Sequence, residues 1–221
     1  MRFNFEFFLK CIPELMLKIP FTLYLGIISF LASMLLAVVL LIFRNSKIGI
    51  FRWIATVFIS FFRSTPYITQ LFIFYYGLPQ LFPALINLSA EVSFVISVAL
   101  NSSAFIVEIL RGGLLGVDKG QREAALSIGM SPLSMYKEII LPQAFVSAFP
   151  ALGNSFISMI KNTAVGFTVG IRDILAEAKI MAASTLNFFE AYIAVGILYW
   201  IILVILDKML KHYESKICKY L

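Results

Sequence analysis

The chain has 221 residues, of which 61% are hydrophobic and 14% charged, and its mean hydropathy is +0.93. A soluble domain of this size needs more polar surface, so the composition excludes a soluble globular protein and predicts an integral membrane protein. The net charge of +6 is explained by membrane topology and by attraction to anionic lipid of the inner leaflet, without a nucleic-acid partner.

Five hydrophobic runs are each long enough to cross about 30 Å of hydrocarbon as a helix. None alternates apolar and polar residues as a barrel strand does, so we expect an all-α membrane protein with five transmembrane helices. The predicted spans lie near 21–43, 54–78, 92–110, 139–160 and 188–206. No linker, low-complexity run or internal repeat divides the chain, which predicts a single domain over 1–221.

The segment before the first span carries Phe and Leu among charged residues over 3–15. This composition suits a helix lying in the membrane interface or, alternatively, a frayed lead-in. Acidic residues and prolines interrupt 1–20, so we expect no cleaved signal peptide. Cys11 and Cys218 lie on opposite sides of the membrane in the expected topology and cannot form a disulfide. Together with the single His212 of the basic tail they predict no metal site.

The distribution of Lys and Arg indicates the orientation, because loops rich in these residues stay in the cytoplasm. More of them fall on the inside segments when the N-terminus is outside and the C-terminus is cytoplasmic. The expected location is therefore the bacterial cytoplasmic (inner) membrane, crossed several times. In this orientation the loop at about 112–137 is cytoplasmic.

Placing a charged side chain in the hydrocarbon core costs about 2.5 to 3.5 kcal/mol of insertion free energy. Polar residues inside predicted spans therefore mark either contacts between helices or a solute pathway. Pro66 should break or kink span two, and local repair by neighbouring hydroxyls is the alternative reading of its polar neighbours. Asn101 and Glu108 are seven residues apart and share one face of span three. The alternatives are close packing at Ser102 and Ser103, and an i,i+3 pair of Glu108 with Arg111.

The apolar stretch over 139–171 has 33 residues, which is too long for one straight span. We expect an interruption near Pro150 or near Lys161–Thr163, and interrupted helices often frame the substrate sites of transporters. The candidate pathway residues are Arg63, Thr65, Gln70, Asn101, Ser102, Glu108, Asn154, Lys161, Asn162 and Thr163.

The cytoplasmic loop reads EAALSIGMSPLSMYKEIILP from Glu123 to Pro142. Asp118 can cap a first short helix that Gly129 ends, and Ser131-Pro132 supplies the cap and first-turn proline of a second. The Glu-Ala-Ala triplet alone is ordinary helix sequence. The whole spacing, however, resembles the EAA coupling loop of ABC importer permeases.

From span one onward the chain resembles the polar amino-acid uptake family of these permeases. The matching blocks are FRSTPYITQLFIFYYGLP, LNSSAFIVEILRGGLLGVDKGQREAA, LPQAF with FPALGNSFISMIKNT, and AYIAVGILYW. The resemblance implies a type I ABC importer permease of MetI-like architecture, paired with a second copy or a paralogue. It also implies two cytoplasmic ABC ATPase subunits, which bind ATP-Mg, and an extracytoplasmic solute-binding protein. The chain itself would be a permease subunit, not an enzyme, and would need no cofactor.

Residue by residue, the resemblance implies that Glu123, Ala124, Ala125 and Gly129 face the ATPase, with Ser131 and Pro132 completing the coupling turn. It places Glu108 and Asn162 at intramembrane ligand contacts. Where the family often has Lys-Asp-Thr, this chain has Lys161-Asn162-Thr163, which argues against arginine or lysine as cargo. The segment 162–184 looks most like the cystine-type branch, so the expected cargo is a polar amino acid, with L-cystine as the leading candidate.

The main rival is a stand-alone ion- or proton-coupled amino-acid carrier that uses Arg63, Glu108 or Lys161 as a charge relay. Five spans without internal repeats disfavour it. The chain has no G-x-x-x-x-G-K-[ST] phosphate loop, so a partner must supply the energy of ATP. An intramembrane hydrolase lacks a nucleophile, base and orienting group, and a purely structural anchor leaves the polar clusters without a role.

Overall fold

The computed structural model describes residues 3–217, and every regular element in that range is helical. The position of Cys218 lies outside the described residues. The α-helices are α1 (Phe5–Met16), α2 (Ile19–Arg44), α3 (Gly49–Ser64), α4 (Tyr67–Phe72), α5 (Leu78–Leu81), α6 (Ala90–Gly116), α7 (Lys119–Ser127), α8 (Pro132–Met135), α9 (Leu141–Asn162), α10 (Ile174–Thr185) and α11 (Phe188–Ile217). Two π-helical segments, Ile73–Gly77 and Tyr136–Ile140, and two 3-10 segments, Pro83–Leu85 and Thr163–Val169, join them.

Four helical runs in the described residues are long and apolar enough to cross a membrane. They are Ile19–Arg44, Ala90–Gly116, Pro132–Val169 and Phe188–Ile217. A fifth is formed by Gly49–Ser64 together with Tyr67–Leu81, which are bent by 110° at a short break. Counting that bent pair as one span gives the predicted five, and the all-α fold class is confirmed.

The break in span two lies at Pro66, as the sequence predicts. Proline has no N–H, so the carbonyl of Phe62 loses the donor that the next turn of a helix supplies. Two side-chain amides replace that donor: Gln70 Nε2 and Asn101 Nδ2 each lie 3.1 Å from the Phe62 oxygen. Gln70 Nε2 also donates to the Thr65 carbonyl at 3.1 Å and to Thr65 Oγ1 at 2.6 Å. The bend is therefore held by side-chain hydrogen bonds, with the Gln70 side chain buried beneath it.

The long apolar stretch is not interrupted at Pro150, which lies inside α9. Helical structure runs without a gap for 38 residues over Pro132–Val169, so the interruption takes the form of a change in helix type. The change occurs at the other predicted place, since α-helical bonding ends at Asn162 and 3-10 bonding begins at Thr163. α9 alone has 22 residues, about 33 Å, which matches the hydrocarbon core. The π and 3-10 segments at its ends take up the excess length.

The centre of the bundle is the packing of α6 against α2 and α9. Small residues dominate the buried face of α2, which lets the neighbouring helices approach closely. The Ser33 hydroxyl on this face donates to the Ser29 carbonyl of its own helix at 2.7 Å, so it is not left unpaired. At Gly113 of α6, an added Cβ would lie 2.4 Å from the carbonyl oxygen of Ala144 in α9. This crossing fixes α9 against α6. The buried α2 residues are Thr22, Leu25, Gly26, Ser29, Ser33, Ala37 and Leu40.

The N-terminal helix α1 packs on protein, through a second apolar cluster with α10 and α11. Cys11 and Leu15 are fully buried there, and Glu190 Oε1 accepts a hydrogen bond from the Asn4 backbone N–H at 2.8 Å. The frayed lead-in considered from the sequence is therefore wrong. The cluster's other buried members include Phe7, Ile174, Ala178, Ala182, Ala191 and Ala194.

A buried carboxyl group holds the start of α10. Asp173 is completely buried, its Oδ1 accepts from the Ala176 N–H at 2.9 Å, and the Tyr199 hydroxyl donates to its Oδ2 at 3.3 Å. Burial raises the pKa of Asp173 to about 6, although these hydrogen bonds act in the opposite direction. The charged form is thus disfavoured in the folded state.

The raised pKa predicts that the protein loses stability as the pH rises. An aspartate has a pKa of about 3.9 in an unstructured peptide, so the contribution is fully present below about pH 4 and is lost through about pH 6, by about 3 kcal/mol. We expect Asp173→Asn, which keeps an oxygen for the cap, to flatten this dependence in thermal unfolding followed across that range. Asp118→Asn, at the exposed cap of α7, is the control and should keep the wild-type slope. An unchanged slope in Asp173→Asn would contradict the assignment.

Candidate functional site

An open cavity of about 410 Å³ lies between α6 and α9. Amides and hydroxyls supply its polar lining, and no charged side chain lines it. On α9 the polar groups Asn154, Ser158 and Asn162 are four residues apart, so one helical face presents them to the cavity. The remaining lining residues are Asn101, Ser102, Phe105, Ile109, Ala151, Ser155 and Met159.

The α9 side of the cavity has two amides ready for a ligand. Ser158 Oγ donates to the Asn154 carbonyl of its own helix at 2.9 Å, so this hydroxyl proton is already engaged. The side chains of Asn154 and Asn162 make no hydrogen bond with any other described residue. Each amide offers both donors and an acceptor, so this face can bind a zwitterion without carrying net charge.

The α6 side is partly committed to the joint at Pro66. Asn101 Nδ2 donates to the Phe62 carbonyl at 3.1 Å and to Gln70 Oε1 at 3.0 Å. Gln70 is buried and, like Thr65, lines neither this cavity nor its neighbour. The structure therefore gives both residues a contact at the helix break, while Asn101 touches the break and the cavity together.

A neighbouring cavity of about 440 Å³ carries the charged candidates Arg63 and Glu108. Glu108 Oε1 pairs with Arg44 and lies 3.5 Å from Arg63 Nη1, while its Oε2 accepts from Arg111 Nε at 2.9 Å. The ion pair of Glu108 with Arg111, which the i,i+3 spacing allows, is therefore present. The other lining residues are Arg44, Phe105 and, on α3, Thr56, Ile59, Ser60 and Ser64.

Phe105 lines both the uncharged cavity and the charged one. The Arg63 guanidinium lies 5.7 Å from the centroid of its ring, within the range of a cation–π contact. Sequence reasoning missed Phe105, since a phenylalanine in a span has no distinguishing signal. It also missed Ser158, which the repeat Asn154–Ser158–Asn162 could have revealed, and Arg44, which is 64 residues from Glu108.

The predicted pathway residues therefore divide into three groups. Asn101, Ser102, Asn154 and Asn162 line the uncharged cavity, and Arg63 and Glu108 line the charged one. Thr65, Gln70, Lys161 and Thr163 line neither. Lys161 is exposed, whereas Thr163 is fully buried, with its Oγ1 donating to the Ile160 carbonyl at 2.8 Å.

The predicted coupling turn forms through local hydrogen bonds. Gly129 follows α7 with a φ of +79°, a conformation that favours glycine. The Gly129 N–H bonds the Leu126 carbonyl at 3.0 Å, and the Met130 N–H bonds the Ala125 carbonyl at 3.1 Å. This pair of bonds is the Schellman motif that ends helices.

The caps of the two short helices are also those expected. Asp118 Oδ1 accepts from the Gly120 N–H at 2.7 Å at the start of α7. Ser131 Oγ accepts from the Ser134 N–H at 3.2 Å, and Pro132 is the first residue of α8. The loop is thus a defined pair of helices joined by a tight turn.

The loop combines a few buried residues with several exposed apolar ones. Ala125 is only 2% exposed and packs with Met135 and Ala144, unlike Glu123, Ala124 and Gly129, with which it was expected to face the ATPase. Consecutive helical residues point about 100° apart, and three in a row cannot share one face. The exposed residues are Glu123, Ala124 and Gly129, together with Leu126, Ile128 and Leu133, which are 54%, 78% and 79% exposed.

Known proteins share both the sequence and the fold. Residues 29–219 match the family described as "Binding-protein-dependent transport system inner membrane component". The chain is 38% identical to the probable amino-acid permease protein YxeN of Bacillus subtilis, over 98% of this chain and 96% of that one. It is also 38% identical to the L-cystine transport system permease protein TcyL of Bacillus subtilis, over 94% and 89%. The crystal structure of an amino acid ABC transporter with histidines matches with a TM-score of 0.90 and 32% identity, over 98% of this chain and 100% of that one.

These matches confirm the resemblance read from the sequence, including the MetI-like type I architecture. The stand-alone carrier is therefore the wrong alternative. Members of this family work with an ATPase and a substrate-binding protein, and the ATPase partner hydrolyses ATP. The chain belongs to the inner-membrane components of binding-protein-dependent transport systems, as an amino-acid ABC transporter permease subunit.

Proposed function

We propose that this subunit carries a polar amino acid without net charge into the cytoplasm, with L-cystine as the leading candidate. The observation behind the proposal is the uncharged lining of the α6–α9 cavity, where Asn154 and Asn162 present free amides. A cationic side chain would find no carboxylate in this lining, whereas amides can pair with the ammonium and carboxylate groups of a zwitterion. The 38% identity to the cystine permease TcyL agrees with this choice.

The proposal includes the assembly around the subunit. The N-terminus lies outside and the C-terminus in the cytoplasm, and the chain, as one domain, pairs with a second copy or a paralogue. Two cytoplasmic ATPase subunits bind ATP-Mg, and a binding protein delivers the amino acid. Leu126, Ile128 and Leu133 of the loop are exposed apolar side chains, and covering them with the ATPase would remove this apolar surface from water, which supports docking there.

The decisive experiment is uptake by proteoliposomes that contain the permease, its ATPase and its binding protein. ATP is supplied on the side of the coupling loop, and labelled cystine, histidine, glutamine and arginine are compared. We expect cystine uptake that requires ATP, survives collapse of the proton gradient and is suppressed by excess unlabelled cystine. If excess cystine leaves the uptake of the preferred amino acid unchanged, cystine is not the cargo.

Asn162→Leu should weaken transport without affecting assembly with the ATPase. Losing one or two hydrogen bonds to the substrate raises the KM about tenfold. Uptake kinetics measure this change, and co-purification with the ATPase tests assembly. Asn87→Leu, in an exposed loop, is the control. Wild-type kinetics in Asn162→Leu would remove this residue from the pathway.

A further inference from the structure

A groove of about 490 Å³ lies where α2, α6, α7 and α9 meet beside the coupling loop. Aliphatic side chains form most of its walls, and two arginines, Arg111 and Arg122, lie among them. The exposed apolar loop residues Leu126, Ile128 and Leu133 do not line it. None of the residues proposed to contact the ATPase lines the groove.

The charge of the groove is positive and available for a ligand. No acidic residue lines it. Arg111 uses Nε to bond Glu108 at 2.9 Å, and its terminal nitrogens make no hydrogen bond to the described residues. Arg122 forms no ion pair within residues 3–217. Its Nη2 lies 3.4 Å from the Leu114 carbonyl, and its guanidinium lies 5.7 Å from the Tyr136 ring centroid.

The apolar walls are open to the surroundings of the bundle. Ile42, Leu115 and Leu141 are 63%, 68% and 50% exposed. An anion alone would leave these walls uncovered, and an apolar ligand alone would leave two guanidinium groups unpaired. A ligand that satisfies both has a phosphate joined to a hydrocarbon chain.

We propose that this groove binds one anionic phospholipid of the cytoplasmic leaflet. Its phosphate lies between Arg111 and Arg122, and an acyl chain follows Ile42, Leu115 and Leu141. Guanidinium groups pair strongly with phosphate, and the cytoplasmic leaflet is rich in anionic lipid. Arg111 belongs to α6 and Arg122 to α7, so the bound lipid braces the coupling loop against a membrane helix. Binding of the lipid does not depend on the identity of the transported amino acid.

The test is native mass spectrometry of the permease–ATPase complex in mixed phosphatidylcholine and phosphatidylglycerol. We expect the wild type to retain phosphatidylglycerol selectively, and Arg122→Gln to lower its affinity about fivefold. Arg122→Lys should restore part of the selectivity, and Leu115→Asn should weaken retention through the apolar wall. Arg52→Gln is the matched control, because Arg52 is exposed on α3 and lies outside the groove.

Four results would overturn the proposal. Arg122→Gln could retain as much phosphatidylglycerol as the wild type. Arg52→Gln could lower the retention as much as Arg122→Gln, which would indicate an effect of net charge and not of this groove. Inorganic phosphate could displace the lipid, which would make this a site for free phosphate. Finally, the isolated permease could bind phosphatidylglycerol while the complex does not, which would assign the groove to the ATPase.

Discussion

Gly129→Pro should reduce ATP-driven uptake about a hundredfold while leaving membrane insertion intact. Gly129 has a φ of +79° and donates its N–H to the Leu126 carbonyl at 3.0 Å. Proline requires a φ near −65° and has no N–H, so the substitution costs about 3 kcal/mol at this turn. A free-energy cost of about 3 kcal/mol lowers the population of the native loop conformation about a hundredfold.

The measurement compares uptake, ATP hydrolysis and co-purification of the ATPase in the same preparation. Gly129→Asn is the matched control, because asparagine accepts a positive φ and keeps the N–H. We expect this control to retain most of the uptake. Normal transport by Gly129→Pro would show that the turn does not couple the ATPase to the membrane helices.

Glu108→Gln should be the most destabilising single change in the charged cavity. One carboxylate faces Arg44, Arg63 and Arg111, and its loss leaves three guanidinium groups near each other without a counter-charge. Removing one partner of a buried ion pair costs 3 to 5 kcal/mol, and the partial exposure of these arginines reduces the expected loss to about 2 kcal/mol. Arg44 joins α2 to α6 and Arg63 joins α3 to α6, so the damage should spread across three helices.

Thermal unfolding of the purified protein and the yield of folded protein measure this effect. Glu91→Gln, an exposed carboxylate in the first turn of the same helix, should change neither. Glu108→Asp keeps the charge and should recover part of the loss, and Arg44→Gln added to Glu108→Gln should relieve some repulsion. A Glu108→Gln protein as stable as Glu91→Gln would show that the cluster contributes nothing to the fold.

Capping, turn and proline rules predicted the structure correctly where it depends only on residues close together in the chain. The turn at Gly129 and the cap at Ser131 form as expected, because both are decided within a few residues. Pro66 breaks its helix for the same reason. The groups that stabilise the break were not foreseeable, since the Asn101 amide that bonds Phe62 comes from another helix 39 residues away.

The polarity of a residue within a span did not show whether it lines the cavity or makes hydrogen bonds that hold the helices. Asn162 and Thr163 are adjacent, yet one lines the uncharged cavity and the other is buried against the Ile160 carbonyl. Gln70 is as polar as Asn154 but is used at the helix break. Hydropathy records that such residues are present in a span and does not record which way they point.

The amino-acid sequence by itself determined that the protein is a helical membrane protein, how many hydrophobic runs it has and where its loop turns, because these depend on composition and short-range backbone chemistry. Only the tertiary structure decided that α1 packs on α10 and α11, that Ala125 points inward and that Arg44 meets Glu108. These features depend on which helix faces meet. That choice rests on the fit of side chains far apart in the chain, which no local pattern encodes.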